Sequence, residues 1–527
     1  MAVTSINSNM TYLQWENFAT AMQLFGKHLL TGMIGSSFST SRTYSTTAGA
    51  SGTLNNPGWA YDDPNFLYLS YANDGVIKSV GGGEPGLGRK LAYFGRFNYA
   101  YADKYLFQAS LRADAADSSI LPKDNRWGFF PAASAGWVVS KEPFMEWSKG
   151  WLDQLKLRVS WGQNGSLASL GGYMYARTIG RTGRYSFTDD LNYSYGYAPS
   201  VMGNDKLKWE TSEQLDLGID LALFGNRLTL GADWYDKRTK DLLISGVKLS
   251  NTTGFSPSPI NAGALTNRGV ELELGWQDHV GDFNYGIRGN LTTLRNEVTA
   301  VHENLSVVPG AGLVNGTVFT RFEKDYPAWY FYGYKYTGVD PLTGDPVFED
   351  INGGGISDSD KTMIGKGIPD LTYGITLNAA WKGIDLVVFG SGVQGVDIYN
   401  VYDPNSEYLY NRLTCFTENR WSTANPNGKN PRAYADISRL NNSSYMVFDG
   451  SFFKIKQVQL GYTFPKSLLE KIHLDNLRMY ASLENFFTFT KYPGWDPEVT
   501  GFGNAMGLDY GAYPNSRKVL FGLNITF

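Results

Sequence analysis

Apolar residues recur at every second position over long stretches of this chain, and this period restricts the fold more than any other feature. Between residues 91 and 101 one set of alternate positions holds Leu91, Tyr93, Gly95, Phe97, Tyr99 and Tyr101, and the other holds Ala92, Phe94, Arg96, Asn98 and Ala100. Successive side chains of a β-strand point to opposite faces of its sheet. The pattern therefore predicts a strand with one apolar face and one face of polar and small residues.

The same alternation dominates the chain, so the sequence predicts an all-β fold. It recurs at residues 105–112, 215–223, 228–234, 270–276, 283–291 and 371–381, and in the last stretch, 517–527, where Val519, Phe521, Leu523, Ile525 and Phe527 share one face. Between residues 452 and 464 the phase changes, since Phe453 and Ile455 have one parity and Val458 has the other. One extra residue would restore a common face, so we predict a β-bulge near Lys456 and Gln457.

Strand length and connection length together indicate a membrane protein. The alternating runs reach about ten residues, the length that crosses a bilayer. Tight turns are predicted at Asp103-Lys104, Gly225-Asn226, 278–282 and Lys382-Gly383, and long connections rich in Gly, Asn and Ser at 39–89, 164–206, 240–267 and 393–449. Short turns at one rim and long loops at the other are typical of outer-membrane barrels. We therefore predict a transmembrane antiparallel β-barrel of roughly 16 strands, with a further strand within residues 298–326 left open.

The composition agrees with this class. Aromatic residues make up 15% of the chain and charged residues only 18%. Aromatic side chains are predicted to form girdles near the strand ends, at Trp127, Phe129, Phe130, Trp151, Trp234, Tyr235, Phe331, Tyr332, Phe486, Phe487 and Phe489. Such girdles lie at the two membrane interfaces of a barrel. The alternative is that these residues form the core of a large soluble β-sandwich.

Other function classes have little support. The formal net charge of −4 argues against nucleic acid as a partner. Cys415 is the single cysteine, and the four histidines are dispersed along the sequence. Glu271 and Glu273 share a strand face, as paired catalytic carboxylates could, but the wall of a polar channel has the same spacing, so we expect no enzymatic activity. The first residues lack a basic region and an apolar core, so no signal peptide is expected.

Charged residues lie opposite the apolar faces of the predicted strands. They are Arg96, Arg112, Arg158, Asp216, Glu271, Glu273, Arg288, Arg478 and Glu484. Charged side chains are costly in lipid, so we predict that these residues line a polar lumen. The pattern predicts passage of a polar solute but does not identify that solute. Aromatic residues among polar ones at 173–197 and 401–410 could stack on sugar rings or anchor the rim.

Several long blocks resemble one family. "NRWGFFPAASAGWVVSKEPFM" at 125–145 is similar to a segment of SusC/RagA-type TonB-dependent outer-membrane transporters of Bacteroidota, and the blocks at 151–165, 207–243, 266–276, 449–465 and 477–498 follow in the family's order. The resemblance implies import of oligosaccharides or peptides across the outer membrane of a Gram-negative bacterium. It also implies energy supplied through TonB-ExbB-ExbD and a SusD-like surface lipoprotein as a lid.

The resemblance also implies which part of such a transporter this is. Residues 1–527 correspond to the C-terminal barrel portion, without the plug domain, and would supply roughly 16 of the family's about 22 strands. An open sheet leaves unpaired backbone groups in hydrocarbon, at a cost of several kcal/mol each. Three possibilities therefore remain: the chain closes as a smaller barrel, it pairs with a companion chain, or it is not functional. A passive porin-like channel and a secreted glycan-binding β protein are the alternative functions.

One acidic loop resembles a calcium site of the family. Residues 340–362 contain "DINGGGISDSD", where Asp350, Asn352, Asp358 and Asp360 could supply oxygen ligands to Ca²⁺. The run departs from the family pattern, because Gly354 stands where an Asp is expected and the loop is one residue shorter. A solvated acidic loop without metal is the alternative, and no other cofactor is expected.

Overall fold

A computed structural model describes residues 2–53, 56, 58–59, 63–74, 76–83, 86–186, 193–244, 256–302, 305–312, 319–401, 413–433, 437–499, 501 and 503–527. Its strands are β1 (Ala2–Phe25), β2 (His28–Ser51), β3 (Ile77–Gly82), β4 (Gly86–Tyr101), β5 (Tyr105–Ala115), β6 (Trp127–Val138), β7 (Leu152–Ser166), β8 (Thr178–Ser186), β9 (Tyr193–Met202), β10 (Glu210–Leu223), β11 (Leu228–Ile244), β12 (Ser256–Pro257), β13 (Ile260–Val280), β14 (Phe283–Thr293) and β15 (Arg295–Val301). The remainder are β16 (Val307–Pro309), β17 (Thr320–Glu323), β18 (Tyr330–Tyr334), β19 (Tyr336–Val339), β20 (Pro346–Phe348), β21 (Lys361–Gly365), β22 (Leu371–Trp381), β23 (Ile384–Gln394), β24 (Asp397–Asn400), β25 (Val447–Asp449), β26 (Phe452–Thr463), β27 (Asn476–Thr490), β28 (Leu508–Asp509) and β29 (Lys518–Thr526). Two short helices, α1 (Ile437–Asn441) and α2 (Lys466–Leu469), lie among the later strands.

One antiparallel sheet dominates the molecule, which confirms the all-β prediction. It is 17-stranded, and its strands pair in the order β1, β2, β4, β5, β6, β7, β10, β11, β13, β14, β22, β23, β26, β27 and β29. The two additional strands extend others: β3 continues the line of β4 along β2, and β15 continues the line of β14 along β13. Among the described residues, β1 pairs only with β2 and β29 only with β27, so both edges of this sheet are open.

The predicted tight turns are confirmed, although two connections at the same end of the sheet, 139–151 and 464–475, are longer. Short turns join β1 to β2 at Gly26-Lys27, β4 to β5 at 102–104, β10 to β11 at 224–227, β13 to β14 at 281–282 and β22 to β23 at Lys382-Gly383. Lys382 and Gly383 both have positive φ, 46° and 86°, which is the conformation that joins twisted antiparallel strands with two residues.

The strands at the long-connection end extend further than predicted. β2 continues to Ser51, β11 to Ile244, and β13 begins at Ile260. The end of β2 reads "STSRTYSTTAGAS", in which small hydroxyl residues give no apolar face. The period-two signal therefore disappears although the strand continues.

The long connections fold into a compact body, which we call the mouth module and define as the described parts of residues 302–370, 395–451 and 491–517. It contains the β16-β17-β18-β21 sheet and a sheet of β24, β25 and β28. Its core consists of the buried side chains Phe319, Phe331, Tyr399, Phe416, Met446 and Leu508. Among the described residues of this segment, 298–302, 305–312 and 319–326, no further barrel strand is present, since β16 and β17 belong to this module.

The girdle prediction is wrong for two residues, which belong to the mouth module. Phe331 is fully buried and Tyr332 lies beside it in β18, within the module rather than at a membrane interface. Among the described residues no helix is long and apolar enough to cross a membrane.

Candidate functional site

Two adjacent rows of residues cross seven neighbouring strands and have opposite character. One row pairs Asp220, Gly231, Glu273, Asn290, Gly374, Ser391 and Lys454, and the next pairs Ile219, Ala232, Leu272, Leu291, Tyr373, Gly392 and Phe453. We call the first side of the sheet the polar face and the second the apolar face. Ile219 and Leu272 are 44% and 39% exposed, so the large side chains of the apolar face are available to lipid.

Aromatic side chains border the apolar face at both ends. Towards the long connections, Phe453 stacks on Tyr373 with the ring centroids 5.9 Å apart and on Phe489 at 6.4 Å. Towards the short turns, Tyr105 stacks between Tyr101 and Trp137 at 6.2 and 6.5 Å. These are two interfacial girdles of the kind that membrane barrels carry.

The predicted girdle residues divide between the two faces. Trp127 stacks on Tyr93 at the long-connection end, and Phe129, Trp234, Phe487 and Phe489 are exposed aromatic residues of the apolar face. Trp151 is exposed beside a short-turn end. Phe130 and Tyr235 have the opposite parity and lie on the polar face instead, where Phe130 packs edge-on against Trp209.

All the residues predicted to line a lumen lie on the polar face. Arg96, Arg112, Arg158, Asp216, Glu271, Glu273, Arg288, Arg478 and Glu484 share the parity of the polar row in their strands. Arg478 donates to the Asp385 carboxylate at 2.9 Å, and Arg112 donates to Asp114 and lies over the ring of Phe94. Whether this face bounds a lumen is part of the proposal below.

Arg158 organises a charge cluster on this face. Its guanidinium donates to both oxygens of Asp220, at 2.9 and 2.8 Å, and lies 3.0 Å from Asp233. Gly218 pairs directly with Arg158 and Asp233, and a Cβ there would lie 2.1 Å from Asp233 Oδ1 and 2.7 Å from Arg158 Cζ. A side chain at position 218 would therefore displace the carboxylate of Asp233 and the guanidinium of Arg158 from their present positions.

A second charge cluster was not predicted. Lys454, 2% exposed, donates to Asp496 at 2.9 Å and to Glu498 at 2.7 Å, and Lys456 also contacts Glu498. We call these residues the Lys454 cluster. Its carboxylates belong to the mouth module and its lysines to β26, so it joins the module to the wall of the sheet.

The predicted β-bulge lies directly beside the two lysines of this cluster. Pairing of β26 shifts between Ile455 and Gln457 against both β23 and β27, which confirms the bulge, and Lys456 is the extra residue in the pairing with β23. As a result Lys454, Lys456 and Gln457 share the polar face, while Val458 returns to the apolar face.

The carboxylates of the Lys454 cluster are held in their charged form. Burial, the largest single influence, would raise the pKa of both carboxyls. Hydrogen bonds from Lys454, joined by the backbone N–H groups of Glu498 and Asn515 at Asp496 and by Lys456 at Glu498, together outweigh it and lower both pKa values. Asn515 adds a backbone N–H to Asp496 and a side-chain amide to Glu498, each at 2.9 Å.

The proposed calcium ligands make a loop that closes on itself. Asp350 accepts hydrogen bonds from the backbone N–H groups of Gly353 and Gly355, at 2.7 and 2.8 Å. Asp360 is buried, and the backbone N–H of Ser357, followed by further amide donors, lowers the pKa of its carboxyl. Asn352 donates to Ser359 and accepts from Gly354.

This donor set does not suit a cation. The Asp358 carboxylate lies 2.9 Å from the Lys361 ammonium, which already supplies its positive charge. In the part of the chain that the structure describes, no group of three or more His, Cys, Asp or Glu is arranged to hold a metal ion. The calcium site stays a prediction that this arrangement does not favour.

The two aromatic segments that could stack on sugars are only partly included in the described residues. Residues 187–192 and 402–410 are outside the described residues. Tyr173 and Tyr197, at the ends of the first segment, are 57% and 65% exposed.

Comparison with known proteins agrees with this geometry. The family model described as "TonB dependent receptor-like, beta-barrel" matches residues 3–486. The chain belongs to this family. Its members are outer-membrane receptors and transporters, so the chain is an outer-membrane protein.

Within the TonB-dependent receptor-like family, this chain is of the SusC/RagA type. TonB-dependent receptor P3 of Formosa agariphila is 32% identical over 98% of this chain, which covers 52% of that protein. TonB-dependent receptor SusC of Bacteroides thetaiotaomicron is 30% identical over 83% of this chain, which covers 46% of it. A solved structure of the RagAB peptide transporter superposes with a TM-score of 0.82 at 24% identity, over 100% of this chain and 56% of that one, and shows the shared fold. The chain thus spans about half the length of the curated relatives that it matches.

Proposed function

We propose that this chain forms the barrel wall of an outer-membrane importer that takes up large polar nutrients, oligosaccharides or peptides, with energy supplied through TonB. The observation that carries the proposal is the pair of rows described above. A continuous polar row beside a continuous apolar row gives a sheet that faces lipid on one side and a hydrated solute on the other. The family membership supports the same conclusion.

The polar face has the chemistry to contact solutes with many hydrogen-bonding groups. Asn290 and Ser391 offer neutral donors and acceptors, and the Arg158 and Arg478 pairs are already neutralised by Asp220 and Asp385. Paired charges add polarity without a strong net field.

The mouth module is the part that we propose meets the substrate first. It lies at the long-connection end, which is the extracellular end in outer-membrane barrels. We propose that a SusD-like lipoprotein covers this end, and that TonB-ExbB-ExbD acts from the periplasm through the rest of the importer. We further propose that residues 1–527 act as the C-terminal barrel part of that larger assembly.

Uptake measurements in the bacterium that encodes this chain test the proposal. Cells with and without the locus would be given fluorescent oligosaccharides and fluorescent peptides as separate mixtures, each with and without a protonophore. We expect locus-dependent uptake of one mixture that the protonophore abolishes, because TonB draws on the proton gradient. Locus-dependent uptake that persists with the protonophore would favour a passive channel instead.

The soluble alternative has its own test. Fractionation of the same cells should place the chain in the detergent-soluble outer-membrane fraction. Recovery in the culture medium without detergent would indicate a secreted glycan-binding protein.

A further inference from the structure

The apolar face ends abruptly in a belt of charge at the long-connection end. On β10, β11 and β13 the last apolar residues are Leu215, Trp234 and Val270, and the next positions on the same face are Glu213, Asp236 and Arg268. Trp161 marks the same level on β7, where its indole N–H donates to Glu213 at 3.1 Å. Tryptophan followed at once by charge is what a strand shows where it leaves hydrocarbon and enters the headgroup layer.

Cations outnumber and overlie the carboxylates in this belt. Arg238, Lys240, Arg268 and Arg295 share the belt with Glu213, Asp236 and Glu297. The side chains of Arg268 and Arg295 are 52% and 83% exposed, whereas that of Asp236 is 8% exposed. Glu213 and Glu297 are also less exposed than their partners Lys240 and Arg295, so the cations are the outermost charges of the belt.

One pair in the belt lacks an adequate counter-ion. Arg268 and Arg295 are directly opposite each other on β13 and β15. Like charges in that position repel. Asp236 serves both Arg238, at 2.9 Å, and Arg268, at 3.2 Å, while Arg295, within the part of the chain that the structure describes, pairs with Glu297 at the longer distance of 3.6 Å. An external anion between the two guanidinium groups would relieve the repulsion.

We propose that Arg268 and Arg295, with Arg238 and Lys240 beside them, bind the phosphate group of an anionic lipid in the outer leaflet. Guanidinium groups match phosphate oxygens with paired hydrogen bonds. The acyl chains of such a lipid would lie below, against Val270, Leu272 and Trp234. The site is on the lipid side of the sheet, so it is independent of the solute pathway and of the proposed substrate.

Lipid selectivity measured by electron spin resonance tests the proposal. The purified protein would be reconstituted in phosphatidylcholine bilayers that contain a trace of spin-labelled phosphatidylglycerol or spin-labelled phosphatidylcholine. The wild-type protein should immobilise the anionic probe more strongly than the zwitterionic one. R268Q/R295Q should lower the association of the anionic probe roughly fivefold or more, since each basic residue near a membrane surface contributes about that factor.

A matched variant controls for total charge. K335Q/R432Q removes two exposed cations of the mouth module, which are paired with Glu349 and Asp345 away from the apolar face. It should leave the selectivity for phosphatidylglycerol unchanged. The proposal is overturned if the wild type shows no preference, if R268Q/R295Q keeps it, or if K335Q/R432Q loses it equally. Displacement of the anionic probe by millimolar inorganic phosphate would equally contradict a lipid site, since it would indicate a site for the free ion.

Discussion

Lys454 and Glu498 lie 2.7 Å apart and join two parts of the molecule that are distant in sequence. The lysine is on the polar face of β26, and the glutamate is in the mouth module beyond β27. Because Lys454 is 2% exposed and also holds Asp496, it is the buried centre of this contact. We conclude that it fixes the last long connection against the wall of the sheet.

Removal of this lysine should loosen the mouth module without unfolding the sheet. K454Q leaves Asp496 and Glu498 partly buried with only Lys456 as a cation, and breaking a buried pair costs about 3 kcal/mol or more. Hydrogen exchange followed by mass spectrometry should show faster exchange at residues 491–499 and 503–517, with β10 and β11 unchanged.

Two further variants of the Lys454 cluster distinguish the loss of its charge balance from the loss of the lysine side chain itself. K456Q should have a smaller effect, about 1 kcal/mol or less, because Lys456 is 25% exposed. D496N/E498Q introduced into K454Q should restore much of the protection by removing the unpaired charges. Unchanged exchange in K454Q would show that the cluster does not hold the module.

Acid should release the same contact. The pKa values of Asp496 and Glu498 are lowered in the folded state, whereas unfolded values are about 3.9 and about 4.3. A group with a depressed folded pKa contributes stability above its unfolded pKa and loses it as the pH falls through the folded value. Protection of residues 503–517 should therefore be constant from neutral pH to about 4.5 and fall below about 4. The same titration of D496N/E498Q should lack this step, and a step of equal size there would assign it to other groups.

Glycine at position 218 should be required by the Arg158 cluster. G218A places a methyl group where Asp233 and Arg158 meet, and forced repacking of this kind costs about 1–3 kcal/mol. Thermal unfolding in detergent should show a lower midpoint for G218A. G231A is the matched control on the next strand, because its Cβ would meet only Glu273 Cβ, at 3.8 Å. Equal midpoints for the two variants would mean that the cluster can move aside at no cost.

Much of the sheet could be predicted because its signals are local. Alternation located the strands near Leu217 and Leu272, and glycine-containing turns such as Lys382-Gly383 located the short connections. The bulge near Lys456 could be predicted because the apolar residues of a barrel strand must all lie on the same face. A change in their parity along the strand therefore indicates one extra residue. The predicted strand number, roughly 16, is close to the observed sheet, in which β3 and β15 extend other strands.

The mouth module could not be predicted in the same way. β16, β17 and β18 are three to five residues long, too short to show a period, and their core residue Phe331 resembles a girdle residue when it is considered alone. The Lys454 cluster depends on a connection that folds back more than forty positions later in the chain, from Lys454 to Asp496. Nothing in the local pattern of β26 indicates which carboxylates its lysines will meet.

Thiol labelling of neighbouring residues tests the central claim, that one face of the sheet contacts water and the other contacts lipid. Asn290 and Leu291 are adjacent on β14 and belong to the polar and apolar rows. In a C415S background, N290C and L291C would be treated in purified outer membranes with a charged maleimide and, separately, with a lipophilic one. We expect the charged reagent to label N290C and spare L291C, and the lipophilic reagent to label L291C. Equal labelling of both positions by the charged reagent would contradict the assignment of the two faces, and with it the proposed pathway.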